Sequence, residues 1–124
     1  MVKYSRQREV ILKNLQSRRD HPTADMVYDS VRMEQPNISL GTVYRNLSML
    51  ADNGKILKIS TGMGPDHFDG YVGPHNHFIC RQCGEITDID YVSCDDVINS
   101  AADTFSGSIE KCEIMFYGKC EKCI

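Results

Sequence analysis

Two identical spacings, forty residues apart, restrict this chain more than anything else in it: Cys80-Arg81-Gln82-Cys83 and Cys120-Glu121-Lys122-Cys123. A fold that uses both must bring residue 120 back to residue 80. Four thiolates in two such pairs suit one tetrahedral structural zinc, with Zn–S distances of about 2.3 Å and no open position. A redox-active C-x-x-C of the thioredoxin kind opens a helix after a strand and needs no distant twin. The expected role is in folding, tying a final strand over residues 112–118 to the strand that precedes Cys80. The other two cysteines, Cys94 and Cys112, have no partner at ligand spacing and read as small core residues.

The chain has 124 residues, 41% of them hydrophobic. That is enough for a real core and for at most two small modules. No apolar run is long enough to span a bilayer, and Met1-Val2-Lys3-Tyr4-Ser5-Arg6 lacks the apolar centre of a secretory signal, so the expected location is cytoplasmic, with no membrane partner. In a reducing compartment six cysteines are ligands or free thiols rather than a disulfide framework. Charge is divided: residues 1–60 hold ten Lys and Arg against six Asp and Glu, whereas residues 61–124 hold four against eleven. A basic front half on an acidic, Cys/His-bearing back half suggests an anion-binding module joined to a ligand-sensing or assembly module.

The front half reads as three helices and a hairpin. Val10, Ile11, Leu12 and Leu15 form one apolar stripe, and Met26, Val27 and Val31 resume it after His21-Pro22-Thr23-Ala24-Asp25. Ser39 is placed to cap a third helix carrying Val43, Leu47 and Leu50, which Asp52-Asn53-Gly54 ends. Lys55–Ile59 is an expected strand, Thr61–Pro65 a turn, and a second strand lies near His67-Phe68-Asp69. This order is that of a winged helix-turn-helix. On the third helix Thr42, Tyr44, Arg45, Asn46 and Ser48 lie on faces flanking or opposing the apolar one, a set suited to base edges and phosphates of double-stranded DNA. An ordinary solvated helix face has the same periodicity; the short connection before it, the Gly-rich wing and the local basic balance favour DNA.

Between the halves lie histidines and acids that the zinc does not use. His75 and His77 are two residues apart and share a face if the segment is a strand; Asp69 is within reach across the turn at Gly70 to Pro74, and Asp88 follows the first cysteine pair. Imidazole and carboxylate without thiolate favour Fe(II), Mn(II) or, less selectively, Zn(II). The alternative is exposed turn residues with no ligand. His75-Asn76-His77 spells the letters of the HNH nuclease motif without the spacing that motif requires.

The chain resembles the ferric uptake regulator family, and within it the peroxide-sensing repressor branch, over nearly its whole length. Ser5-Arg6-Gln7-Arg8 is similar to the family's T-P-Q-R entry, His21-Pro22-Thr23-Ala24-Asp25 to its H-P-T-A-D, and Thr42-Val43-Tyr44-Arg45-Asn46-Leu47 to its recognition helix. His75-x-His77-x-x-Cys80-x-x-Cys83-Gly84 is similar to its sensing and zinc motif.

The resemblance implies an α+β chain: an N-terminal winged helix-turn-helix domain over residues 1–66, a hinge over 67–74, and a small α/β dimerisation domain over 75–124 with a four-cysteine zinc site. It implies a homodimer that binds operator DNA, with Ser39, Thr42, Tyr44, Arg45, Asn46, Arg6 and Arg8 on the DNA side. One structural Zn(II) per chain would sit on Cys80, Cys83, Cys120 and Cys123. One regulatory Fe(II) or Mn(II) would sit on His21, Asp69, His75, His77 and Asp88. His21 would tie the DNA-binding half to the rest. Aspartate rather than glutamate at Asp88 points to the peroxide branch, in which Fe(II) and hydrogen peroxide oxidise a ligand histidine, His21 or His75. The family's leading basic helix is expected to be short or missing, and the polar tail of many members absent. Two other readings stay open: a regulator of metal availability without peroxide chemistry, and, remotely, a metallohydrolase. Assigning all five ligands leaves no evident general base, so no enzyme activity is expected, and no small-molecule substrate beyond metal ions and peroxide.

Overall fold

The computed structural model describes residues 2–124, with side chains from residue 6 onward, and divides into two compact units, Met1–Gly73 and Pro74–Ile124. Ser5 of the entry motif lies outside the described side chains. No helix among the described residues is long and apolar enough to cross a membrane.

The first unit contains α1 (Val2–Gln16), α2 (Ala24–Val31), α3 (Leu40–Asp52), β1 (Leu57–Ile59) and β2 (His67–Asp69). Its core joins most of the stripes expected of the three helices: Ile11 and Leu15 of α1, Val27 and Val31 of α2, and Val43, Leu47 and Leu50 of α3 are buried, Val10 and Leu12 are partly buried against them, and Met26 is exposed. Each buried side chain contributes about 1.5–3 kcal/mol relative to exposure. Thr23 caps α2, its hydroxyl accepting from the Met26 N–H at 3.3 Å, and Ser39 caps α3 in the same way through the Thr42 N–H at 3.1 Å. The third helix stops at Asn53, and Gly54 takes the left-handed φ of 73° that lets the chain leave. The strands β1 and β2 pair antiparallel, Leu57 opposite Asp69 and Ile59 opposite His67. Residues 67–69 are thus strand, and Gly70 follows them. A Cβ on Gly70 would lie 2.6–2.8 Å from backbone atoms of Leu15 and Gln16, so only glycine lets the end of β2 run this close to the end of α1.

The second unit contains β3 (Asn76–Cys80), β4 (Ile86–Ile89), α4 (Asp95–Ala102) and β5 (Met115–Gly118). The sheet order is β4-β3-β5, with β3 antiparallel to β4 and parallel to β5. The parallel pair accounts for the cysteine spacing: with Cys80 beside Gly118, both strands finish at the same end of the sheet, and each runs straight into its C-x-x-C turn. The last strand is shorter than the expected 112–118, beginning at Met115. Asn76, between the two histidines, is buried and pins the start of β3: its amide donates to the Ile114 carbonyl at 3.1 Å and its Oδ1 accepts from the Val92 N–H at 2.7 Å.

Cys94 and Cys112 differ from their expectation as core residues. Both are half-buried, and α4, which Cys94 precedes, has no buried residue. Cys94 Sγ donates to the Cys112 carbonyl at 3.2 Å. The Cys112 side chain and partial burial push the Cys94 thiol up to about 11.

Candidate metal centres and nucleic-acid interface

The four paired cysteines converge. Their Sγ atoms all lie within 4.8 Å of one another, and Cys83 Sγ is 3.7 Å from Cys120 Sγ. Bonds of about 2.3 Å to one tetrahedral ion require sulfur–sulfur edges of about 3.8 Å, so the donor set fits such an ion. Cys80 is fully buried at the end of β3. The backbone N–H groups of Cys83 and Cys120 both donate to its sulfur at 3.4 Å. Those two donors, the Cys83 N–H first, draw the Cys80 thiol down to about 6, favouring the thiolate that a metal needs. Cys123 goes the other way, pushed up to about 12 by the Cys120 side chain and by burial. Gly84, with φ of 79°, turns the first knuckle so that its N–H reaches the Cys80 carbonyl at 2.9 Å. Lys122 Nζ lies 3.3 Å from Glu85 Oε2, linking the two knuckles on their exposed side.

In the second unit, His77 of β3 stands directly opposite Asp88 of β4. His75, just ahead of β3, turns to the same face: its Nε2 is 3.0 Å from His77 Nε2, and Asp88 Oδ1 is 3.5 Å from both. Donors at right angles on bonds of about 2.1 Å are about 3.0 Å apart, so these two imidazoles fit adjacent positions on one ion. Both rings are largely buried, while Asp88 is exposed.

In the first unit, His21 and Asp69 are both buried, with His21 Nε2 3.4 Å from Asp69 Oδ2. The other carboxylate oxygen, Oδ1, accepts from the Tyr71 N–H at 2.9 Å, which fixes the carboxylate's orientation. His21 has a φ of 50°, the positive-φ value among the described non-glycine residues. Of the five expected N/O ligands, His21 and Asp69 belong to the first unit and His75, His77 and Asp88 to the second.

On α3 the polar residues separate into two kinds. Ser39, Tyr44 and Arg45 are exposed and Thr42 half-exposed. They are partly linked: Ser39 Oγ donates to Thr42 Oγ1 at 2.9 Å, and Arg45 Nη2 donates to the same oxygen at 3.1 Å. Asn46 is buried, its Nδ2 donating to the Thr42 carbonyl at 2.9 Å and its Oδ1 accepting from Arg8 Nε at 3.3 Å. Arg6 is exposed and Arg8 half-buried. The sequence sets Asn46 among residues that flank or oppose the apolar face and suit DNA; its position three after Val43 and one before Leu47 is the signal that it borders the core. Neither the bond from Asn46 to Arg8 nor the anchoring role of Asn76 has a sequence signature.

A protein-family model described as the ferric uptake regulator family matches residues 1–117. The chain belongs to the ferric uptake regulator family. Members are transcriptional regulators, and this chain is a regulator rather than an enzyme. It is similar to the peroxide-responsive repressor PerR of Staphylococcus saprophyticus, 35% identical over 122 residues covering 98% of this chain and 82% of the relative. It is likewise similar to the peroxide operon regulator of Bacillus subtilis, 34% identical over 98% of this chain and 84% of that one. Among solved structures it resembles the Campylobacter jejuni peroxide stress regulator, with a TM-score of 0.80 and 30% identity over 98% of this chain and 92% of the other. The Helicobacter pylori ferric uptake regulator Fur, 22% identical with a TM-score of 0.82 over 95% of this chain and 79% of its own, shares the fold.

Proposed function

We propose that this chain is a metal-dependent, DNA-binding transcriptional repressor that senses hydrogen peroxide and works as a homodimer in the cytoplasm. The observation that carries the reading is the donor chemistry of the second unit: two converging imidazoles and a carboxylate beside, and separate from, four converging thiols. A thiol cluster with no open position serves folding, whereas nitrogen and oxygen donors hold an exchangeable ion. The similarity to peroxide-responsive repressors supports assigning that ion to peroxide sensing.

In this reading Zn(II) is held by Cys80, Cys83, Cys120 and Cys123, and Fe(II) or Mn(II) by His21, Asp69, His75, His77 and Asp88. The first unit is a winged helix whose α3 enters the major groove with Thr42, Tyr44 and Arg45, Ser39 and Arg6 meeting the backbone. Asn46, buried, holds Arg8 in place rather than touching a base. Ligands drawn from both units make ion binding favour one arrangement of the dimer's DNA-binding units, and occupancy shifts the population toward it. Bound Fe(II) would promote oxidation of a ligand histidine by hydrogen peroxide. A ring C–H of His21 or His75 would become C–OH as the O–O bond breaks, the ring giving up two electrons and the second peroxide oxygen leaving as water; the oxidised ring would ligate poorly and the operator would be released.

The test is a DNA-binding assay on a selected operator pool with Fe(II)-loaded or Mn(II)-loaded protein, before and after peroxide, with mass spectrometry of the His21 and His75 peptides. Release with Fe(II) only, accompanied by one added oxygen, is the expected result. Binding that persists through peroxide with Fe(II) bound would make the chain a sensor of metal availability. Oxidation confined to cysteines would replace the histidine mechanism with a thiol switch.

A further inference from the structure

We propose that His67 is the positioning residue of the His21–Asp69 pair: its ring holds the His21 backbone in a conformation that the local sequence disfavours, and so sets how tightly the regulatory site takes up a divalent cation. The proposal rests on the regulatory-metal reading above.

His21 has a φ of 50° and is followed by Pro22. A non-glycine residue in the left-handed region carries strain, and a following proline biases the residue before it toward extended backbone. Left to local preference, position 21 would extend, and its imidazole would swing away from Asp69. Strand β2 prevents this. His67 Nδ1 lies 2.7 Å from the His21 carbonyl oxygen, and since a carbonyl only accepts, Nδ1 carries the hydrogen. The Phe68 N–H donates to the Pro22 carbonyl at 2.8 Å, and Thr23 bridges to His67. Of these three contacts, the ring bond is the one made to the strained residue itself. Two positions further along the same face of β2, Asp69 faces the His21 ring at 3.4 Å. The strand therefore grips His21 twice, at the backbone from position 67 and at the imidazole from position 69. Sequence reasoning treated His67 only as part of a strand.

The experiment uses full-length, zinc-loaded protein with Mn(II) as the probe, free Mn(II) being counted by electron paramagnetic resonance. His67→Val removes the donor and keeps a strand-forming side chain; His67→Asn keeps an N–H near the place of Nδ1. Expected is a Mn(II) affinity about 10- to 100-fold weaker in His67→Val, the range for lost outer-shell partners, with most of it regained in His67→Asn and zinc content unchanged in both. Rescue by asparagine is the readout that a general packing role would not give. Parental affinity in His67→Val, or asparagine as weak as valine, overturns the proposal. His21→Ala is measured alongside: if it is weak while His67→Val is normal, the regulatory site stands and only the role of His67 falls. If His21→Ala binds Mn(II) like the parent, the site itself is wrong and the proposal falls with it. Should His67→Val lose its helical circular dichroism, His67→Leu supplies the same comparison.

Discussion

Replacing Cys120 by serine should dismantle the second unit and leave the first standing. The described residues of that unit bury few apolar side chains, Ile79, Cys80 and Ile86, and its edge strand β5 pairs with β3 over four residues. Cys120 is bound into the cluster twice, through its sulfur 3.7 Å from Cys83 Sγ and through its N–H to Cys80 Sγ at 3.4 Å. Three thiols cannot complete the closed tetrahedron that the 3.7 Å edge fits. Structural zinc contributes about 10–16 kcal/mol in small zinc domains near neutral pH, and a whole domain is stable by only about 5–15 kcal/mol. Even half the zinc contribution therefore exceeds what so small a core supplies. The assay is zinc content per chain together with sedimentation and amide spectra. The expected variant is zinc-free and monomeric, with β3 and β5 amides lost and those of α1 to α3 retained. A Cys120→Ser protein that keeps stoichiometric zinc and sediments as a dimer would refute the assignment.

Two further outcomes concern other parts of the chain. Arg45→Ala should weaken operator binding by about 1–3 kcal/mol if Arg45 reads a base edge, or lower the salt slope by about one if it meets a phosphate; unchanged affinity at both low and moderate salt contradicts the proposed orientation of α3. Cys94, pushed up to about 11, stays protonated below that pH. Iodoacetamide should therefore label its peptide slowly near neutrality, with a rate rising about tenfold per pH unit as thiolate forms; a flat profile between pH 7 and 9 contradicts the raised value.

The first unit was legible because its helices are amphipathic and capped. Val43, Leu47 and Leu50 recur on one face and Ser39 stands at the cap, so pattern and chemistry agree on where α3 begins and what it buries. Part of the second unit was legible for another reason: the two C-x-x-C pairs state a long-range contact that local periodicity cannot. The spacing does not say that β5 lies parallel to β3, and α4 was not anticipated at all. Val97, Ile98, Ala101 and Ala102 recur at helical spacing, but the helix is only eight residues long and buries none of them. The thiol cluster is visible as four letters; His75 and His77 share a face as their spacing suggests, although His75 precedes β3 rather than lying on it. What sequence could not show depends on backbone states set by tertiary contact. The left-handed His21 and its ring bond from His67 are of this kind, as is the burial of Asn46 against Arg8.

The parallel pairing of β3 with β5 has a consequence for how the sheet avoids error. Strands as short as these, five and four residues long, can slide past one another, because a shifted pairing still satisfies most backbone hydrogen bonds. One step of slippage moves a strand by about 3.3 Å. Applied to β5, it would carry Cys120 and Cys123 away from Cys80 and Cys83 by more than the roughly 2.3 Å length of a zinc–sulfur bond. A shifted sheet could not close the thiol cluster, so the ion would act as a gauge, rewarding only the alignment in which Cys80 lies beside Gly118.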